Sequence, residues 1–127
     1  MNQAVVSFGS NINPTENIAK SRDLITKTHK LIAESNSVMT KPIGFKDQDD
    51  FVNGAFLIKT TMSEAEFSTW LKNVEIKFGR IKGEHPFGPR SIDLDLIVWN
   101  KSVVHKDFNE RDFIKEAVLE LVPNLKY

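Results

Sequence analysis

Two apolar stripes with a helical period, each set between short runs with a strand period, constrain this chain more than any other feature. The first stripe follows Asn13-Pro14. It places Ile18, Ile25 and Ile32 seven residues apart, with Leu24 and Leu31 beside them, and predicts a helix ending near Ala33. Asn13 before Pro14, with Glu16 three positions on, predicts its N-cap, its first-turn proline and an approximate capping box. The second stripe is Phe67, Trp70, Leu71, Val74 and Phe78, opened by the capping box Ser63/Glu66 and closed by Gly79. Strand-type runs occupy Gln3 to Phe8, Ser35 to Thr40 (weakly), Phe51 to Thr60 and Ser91 to Trp99. A last helix is expected from Arg111 to Leu121, stopped by Pro123. Strand, helix, strand, strand, helix, strand is the ferredoxin-like α+β plan. It predicts an antiparallel sheet with helices on one face, an extra C-terminal helix, and a second sheet face free to build a site.

At 127 residues the chain is the size of one domain, and residues 1–127 are read as one unit. Seventeen basic residues balance seventeen acidic ones, which argues against coating nucleic acid or an anionic membrane by bulk charge. With no cysteine, disulfide scaffolds, thiolate metal sites and cysteine nucleophiles are excluded. No apolar run approaches the roughly 18 residues of a membrane span, and the first residues do not read as a signal peptide. The expectation is a cytoplasmic, monomeric protein with no nucleic-acid or membrane partner.

The strongest chemical signal is Gly88-Pro89-Arg90-Ser91-Ile92-Asp93-Leu94-Asp95. On a strand, Ile92, Leu94, Leu96 and Val98 face one way, and Ser91, Asp93, Asp95 and Ile97 the other. The two aspartates lie about 6.5–7 Å apart along one face, a spacing at which carboxylates share a hard cation such as Mg²⁺. The pair also reads as the solvated face of an amphipathic strand. Against that stand the mutual repulsion of like charges and the depletion of Asp in strands.

Upstream, Arg80, Lys82, His85 and Arg90 form a cationic cluster in a Gly- and Pro-rich loop. Alone it reads as a charged surface loop. Beside an aspartate pair it is equipment for phosphoryl transfer, where guanidinium forks match phosphate oxygens. No Walker pattern occurs. Phe51 and Asn53 share a strand face and could stack on and hydrogen-bond a flat heterocycle, but such a pair is more often a core aromatic beside a turn or edge amide. His29, among lysines, reads as solvated, and His105 alone reads as a surface residue.

Taken together, five segments resemble the 6-hydroxymethyl-7,8-dihydropterin pyrophosphokinase family, in order from about Val5 to Pro123. They are Phe8-Gly9-Ser10-Asn11, Thr40-Lys41-Pro42-Ile43-Gly44, Gln48-Asp49-Asp50-Phe51-Val52-Asn53, Glu75 with Gly79-Arg80, and the Gly88 to Asp95 block. The resemblance implies transfer of pyrophosphate from ATP to the hydroxymethyl group of a reduced pterin, on the path to folate. It implies two Mg²⁺ ions on Asp93 and Asp95, and phosphates held by Arg80 and Arg90. The pterin would lie between Phe51 and Phe113, with Thr40, Ile43 and Asn53 at its edge. Glu75, Lys82, Leu96, His105 and Arg111 would complete the ATP side.

The sequence departs from the family in places. Only Lys101-Ser102-Val103-Val104 separates Trp99-Asn100 from His105, where the family has a longer nucleotide-contacting loop. Lys82 stands for an arginine, Phe87 for a tryptophan and Lys41 for a proline. A non-catalytic paralogue binding pterin or nucleotide is therefore the alternative reading.

Overall fold

The computed structural model describes residues 1–44, 47–79 and 88–127. In chain order these form β1 (Asn2–Ser10), α1 (Pro14–Thr28), β2 (Lys30–Glu34), β3 (Val38–Thr40), β4 (Phe51–Thr60), α2 (Glu64–Lys77), β5 (Asp93–Trp99), β6 (Ser102–Val103), α3 (Asp107–Glu110) and α4 (Asp112–Leu121). The sheet is open and antiparallel, in the order β2-β4-β1-β5-β6, with β3 also pairing to β4. The fold is thus a mixed α/β arrangement on an antiparallel sheet.

Alternation along β1 and β4 sends every second residue to each side. On one side Ala4, Val6, Phe8, Phe56, Ile58 and Leu94 pack against Ile18 and Ile25 of α1 and Phe67, Leu71 and Val74 of α2. On the other, Val5, Ala55, Leu57 and Val98 pack against Phe108, Ile114, Ala117 and Val118 of α3 and α4. The second face is therefore not left wholly free: the C-terminal helices cover part of it. The Ser63/Glu66 capping box forms as expected, with Ser63 Oγ accepting from the Glu66 N–H (3.2 Å) and Glu66 Oε1 from the Ser63 N–H (3.0 Å).

Three local expectations are corrected. The first helix stops at Thr28, and Lys30–Glu34 pairs with β4 instead. Ile32, the third residue of the heptad stripe, is exposed, because the register shifts between Leu31 and Ala33. Asn13 does not cap with its side chain. It sits in the left-handed region (φ 41°), its carbonyl accepts from the Asn17 N–H, and Glu16 pairs with Lys20 instead. The strict alternation of β5 also fails beyond Leu96. A register shift opposite Val5/Val6 turns Val98 onto the face of α4, while Trp99 joins the face of α1 and α2.

His29 is a further correction. It follows the last turn of α1, and its Nδ1 lies 2.9 Å from Thr60 Oγ1. Its ring meets Trp70 edge-on at 4.3 Å and Phe67 at 5.1 Å, and its buried Nε2 has no hydrogen-bond partner among the described residues. Burial therefore lowers its pKa below the ordinary 6.5. The unfolded chain binds this proton more readily than the folded one, so stability is intact above pH 6.5 and falls as pH drops below it. Denaturant midpoints taken from about pH 7.5 down to about pH 5.5 should decline, and the decline should be shallower in His29→Gln.

Candidate active site

The face shared with α4 changes character along the strands. Near Val5, Leu57 and Val98 it is apolar and covered. Toward the other end of the same strands it carries Ser7 and Gly9 on β1, Asn53 and Phe51 on β4, and Asp95 and Asp93 on β5. A cleft of about 200 Å³ opens at this end. Phe113 and Ile114 close it from α4, Asp107 from α3 and Arg111 from the link between the two helices, Thr40 from the end of β3 with Lys41 and Ile43 after it, and Gly88 and Arg90 from the chain entering β5.

Register explains the arrangement. Gly9 pairs with Asn53 on one side and Asp93 on the other, so the three form a row across the sheet. Neighbouring strands are spaced about 4.8 Å apart, which puts Asn53 and Asp93 about 10 Å from each other with only glycine between. A side chain at Gly9 would be unwelcome: a Cβ there would lie 3.0 Å from Asn53 Oδ1 and 3.8 Å from the Phe51 ring. The Asn53 amide is held by donating to Thr40 Oγ1 at 2.6 Å, which ties β3 to β4 at the cleft rim.

Asp95 occupies the next row, opposite Ser7. His105 Nε2 lies 4.0 Å from Asp95 Oδ1, and Asp107 Oδ2 lies 3.8 Å from His105 Nδ1. Ligand atoms of Asp95, His105 and Asp107 fall within 4.8 Å of one another. The Asp107 N–H donates to His105 Nδ1 (3.1 Å). A neutral ring held in this way carries its proton on Nε2, the nitrogen facing Asp95. The set therefore offers carboxylates to a cation and an imidazole N–H to an anion.

The short segment after Trp99 accounts for the placement of His105. Asn100, at φ 54°, closes a tight hairpin in which Ser102 pairs with Trp99 and Val103 with Val98. Asn100 also continues the ladder on β1, its N–H donating to Gln3 O and its Oδ1 accepting from the Gln3 N–H. The Val104 N–H donates to Ile97 O, and the chain then reaches the cleft at His105.

Most of the residues expected at the site meet in this cleft: Thr40, Ile43, Phe51, Asn53, Arg90, Asp93, Asp95, Arg111 and Phe113 all line it, and His105 stands beside Asp95. Two lie elsewhere. Glu75 is buried on α2, where Oε2 accepts from the Leu94 N–H at 2.8 Å, and it lines a smaller cavity of about 80 Å³ that Arg90 also reaches. Leu96 packs into the core beneath α1 and α2. Arg80 and Lys82, with His85 and Phe87 of the same loop, lie outside the described residues. Asn11, Ser7 and Asp107 have structural places at the site that reading the sequence residue by residue did not assign. Of the three, only Asn11 falls within a motif read from the sequence, Phe8-Gly9-Ser10-Asn11.

One cleft on the antiparallel sheet thus gathers Asp93 and Asp95, Arg90 and Arg111, and Phe51 and Phe113, side chains whose chemistry suits phosphoryl transfer. Residues 5–123 match the 7,8-dihydro-6-hydroxymethylpterin-pyrophosphokinase family, and the chain belongs to that family, the ATP-dependent pyrophosphokinases of folate biosynthesis. Among its relatives is a 2-amino-4-hydroxy-6-hydroxymethyldihydropteridine pyrophosphokinase of Haemophilus influenzae, 28% identical over 96% of this chain and 82% of that protein. The enzyme of the same name from Bacillus subtilis is 29% identical over 94% of this chain and 78% of its own length. A folic acid synthesis protein of Schizosaccharomyces pombe is 33% identical over 96% of this chain, which spans 18% of that longer protein. Among the described residues, no helix is long and apolar enough to cross a membrane.

Proposed function

We infer that this cleft transfers the terminal pyrophosphoryl group of ATP to the hydroxymethyl group of 6-hydroxymethyl-7,8-dihydropterin, releasing AMP. The observation that carries the reading is the row Asn53–Gly9–Asp93, which sets a heterocycle-binding edge beside a carboxylate pair with nothing bulky between them. The family and its named relatives favour the enzyme over a non-catalytic binding paralogue. The strand order supports a ferredoxin-like core, in which α1 and α2 cross one face and the C-terminal helices are an addition to the other. The chain would act as one domain.

Phe51 and Phe113 would hold the pterin ring, with Asn53, Thr40 and Ile43 at its edge. Asp93 and Asp95 would hold Mg²⁺, two ions in this reading, as oxygen donors suited to a hard cation. When bound, the metal neutralises charge on the phosphate oxygens and helps to orient the attacking hydroxyl. The substrate oxygen then bonds to the β-phosphorus as the bond from that phosphorus to the α,β-bridging oxygen breaks. AMP departs with the bridging oxygen, and the hydroxyl proton passes to solvent. Arg90, with Arg80 and Arg111, would balance the charge on the phosphates, and His105 Nε2–H would donate to a phosphate oxygen. Glu75, Lys82 and Leu96 keep nucleotide-side places in this proposal, Glu75 by holding the backbone of β5.

Product analysis tests the reaction: AMP with a pterin diphosphate is expected, whereas ADP with a pterin monophosphate would contradict attack at the β-phosphorus. Removing one stacking wall by Phe113→Ala should raise the pterin KM about tenfold while leaving the ATP KM within about threefold, as measured by steady-state titration of each substrate.

A further inference from the structure

Asn53–Gly54 is the one Asn–Gly step in the chain. Such a pair ordinarily marks a tight hairpin turn, yet here it lies inside β4. Each residue is needed there for its own reason. The Asn53 amide donates to Thr40 Oγ1 at the cleft rim, and a Cβ at residue 54 would come within 2.4 Å of Phe8 Cζ. The pair carries a chemical weakness, because no side chain shields the glycine nitrogen. In a mobile chain that nitrogen attacks the preceding carboxamide. A bond forms from Gly54 N to Asn53 Cγ, the bond from Cγ to Nδ2 breaks, and ammonia leaves with the proton from Gly54 N. Water then opens the cyclic imide to aspartate or isoaspartate.

The fold closes this route at three points. Ring closure needs the Asn53 ψ to turn far from the value of about +135° of an antiparallel strand, and Asn53 is paired on both edges, with Gly9 and with Val38. The Ala55 N–H donates to Ser35 Oγ and Ala55 O accepts from the Ser35 N–H, both at 2.9 Å. The backbone groups of Gly54, one residue along, therefore face the other edge of β4 and join the ladder with Phe8 of β1. The Asn53 side chain, finally, is buried and tied to Thr40 at 2.6 Å.

We propose that Asn53 is a deamidation site that is closed in the folded protein and opened by unfolding, so that time spent unfolded destroys the cleft irreversibly. An isoaspartate routes the main chain through its side-chain carbon. The extra atom throws β4 out of phase with β1 beyond that point. An aspartate keeps the backbone but puts a carboxylate where the amide donor to Thr40 stood. The loss of pterin binding rests on the pyrophosphokinase reading of the cleft, whereas the chemistry and the register of β4 do not.

The test incubates the full chain in mildly alkaline buffer, folded or in concentrated guanidinium chloride. Peptide mass mapping reads the gain of about one mass unit per event. Asn36–Ser37, in the exposed link between β2 and β3, is the internal reference. Unfolded, Asn53 should react faster than Asn36. Folded, the order should invert, with Asn53 slowed by more than about a hundredfold, because its reaction waits on an opening close to global unfolding. After dilution from denaturant, the loss of 6-hydroxymethylpterin binding should match the fraction modified at Asn53. Gly54→Ala hinders ring closure, and against its own untreated sample it should keep its binding. Asn53 reacting as fast folded as unfolded would overturn the proposal. So would a modified chain that refolds and binds the pterin like the untreated protein, or an equal loss in Gly54→Ala. Untreated protein that binds no pterin would overturn the functional reading alone. The proposal is then decided by the order of Asn53 and Asn36 and by whether the modified chain regains its native circular dichroism.

Discussion

Asp95→Asn is expected to lower turnover by about 10³-fold or more, equivalent to about 4 kcal/mol of transition-state stabilisation. The substitution keeps the size of the side chain and its place opposite Ser7, so the sheet should be undisturbed. It removes one of the two negative charges that β5 presents to a cation, and an amide oxygen is a poor substitute for a carboxylate on a hard ion. Asp95 is also the carboxylate 4.0 Å from His105 Nε2, so the same change alters what faces the imidazole N–H. The loss should fall mainly on kcat at saturating ATP and pterin, and should be partly relieved by raising Mg²⁺. Steady-state rates across a Mg²⁺ titration check this, and activity within threefold of wild type would remove Asp95 from the metal role.

A second large effect is predicted at Gly54, and it concerns stability. Gly54 pairs with Phe8 across β1 and β4, and the Phe8 ring lies over the glycine. A Cβ at this position would come within 2.4 Å of Phe8 Cζ and 2.8 Å of Phe8 Cε2. The ring has nowhere to go: Phe8 is 2% exposed and packs on Phe56 with centroids 4.6 Å apart. Replacing glycine in a strand by alanine would ordinarily stabilise by about 0.5–1 kcal/mol through backbone entropy. Overpacking costs about 1–3 kcal/mol and should win here, because both the ring and its neighbour are enclosed. Gly54→Ala is expected to lose about 2 kcal/mol net and to lower Tm by on the order of 10 °C, as scanning calorimetry would show. An unchanged Tm would mean that the Phe8 ring can move out of the core.

Much of this architecture is legible from hydrophobic period and caps alone. The stripe of α2, its capping box and the whole of β4 follow directly, because nothing competes with the local pattern there. The failures share a cause. The Ile18, Ile25, Ile32 spacing continues a helical period through Lys30–Glu34, but the edge of β4 offers those residues a backbone ladder that local spacing cannot reveal. The register shift opposite Val5/Val6 likewise depends on a partner strand and not on β5 itself. His29 looks solvated among lysines because its neighbours Phe67, Trp70 and Thr60 are distant in sequence.

The site divides in the same way. Asp93 and Asp95 are visible as a same-face pair on one strand, and the glycine-proline-arginine block marks them further. Phe51 and Asn53 are ambiguous until register sets them beside Gly9, with Asp93 on its other side. Asn11 has no chemical signal of its own, since its role consists of three hydrogen bonds to residues 37, 38 and 79 positions away. The hairpin at Asn100 shows that a short connection still delivers His105 to Asp95.

The most direct measurement is AMP release from ATP and Mg²⁺, followed with and without 6-hydroxymethyl-7,8-dihydropterin. Pterin-dependent AMP formation that disappears in Asp95→Asn is the predicted result. A folded protein that binds the pterin but releases no AMP at saturating ATP and Mg²⁺ would contradict the account.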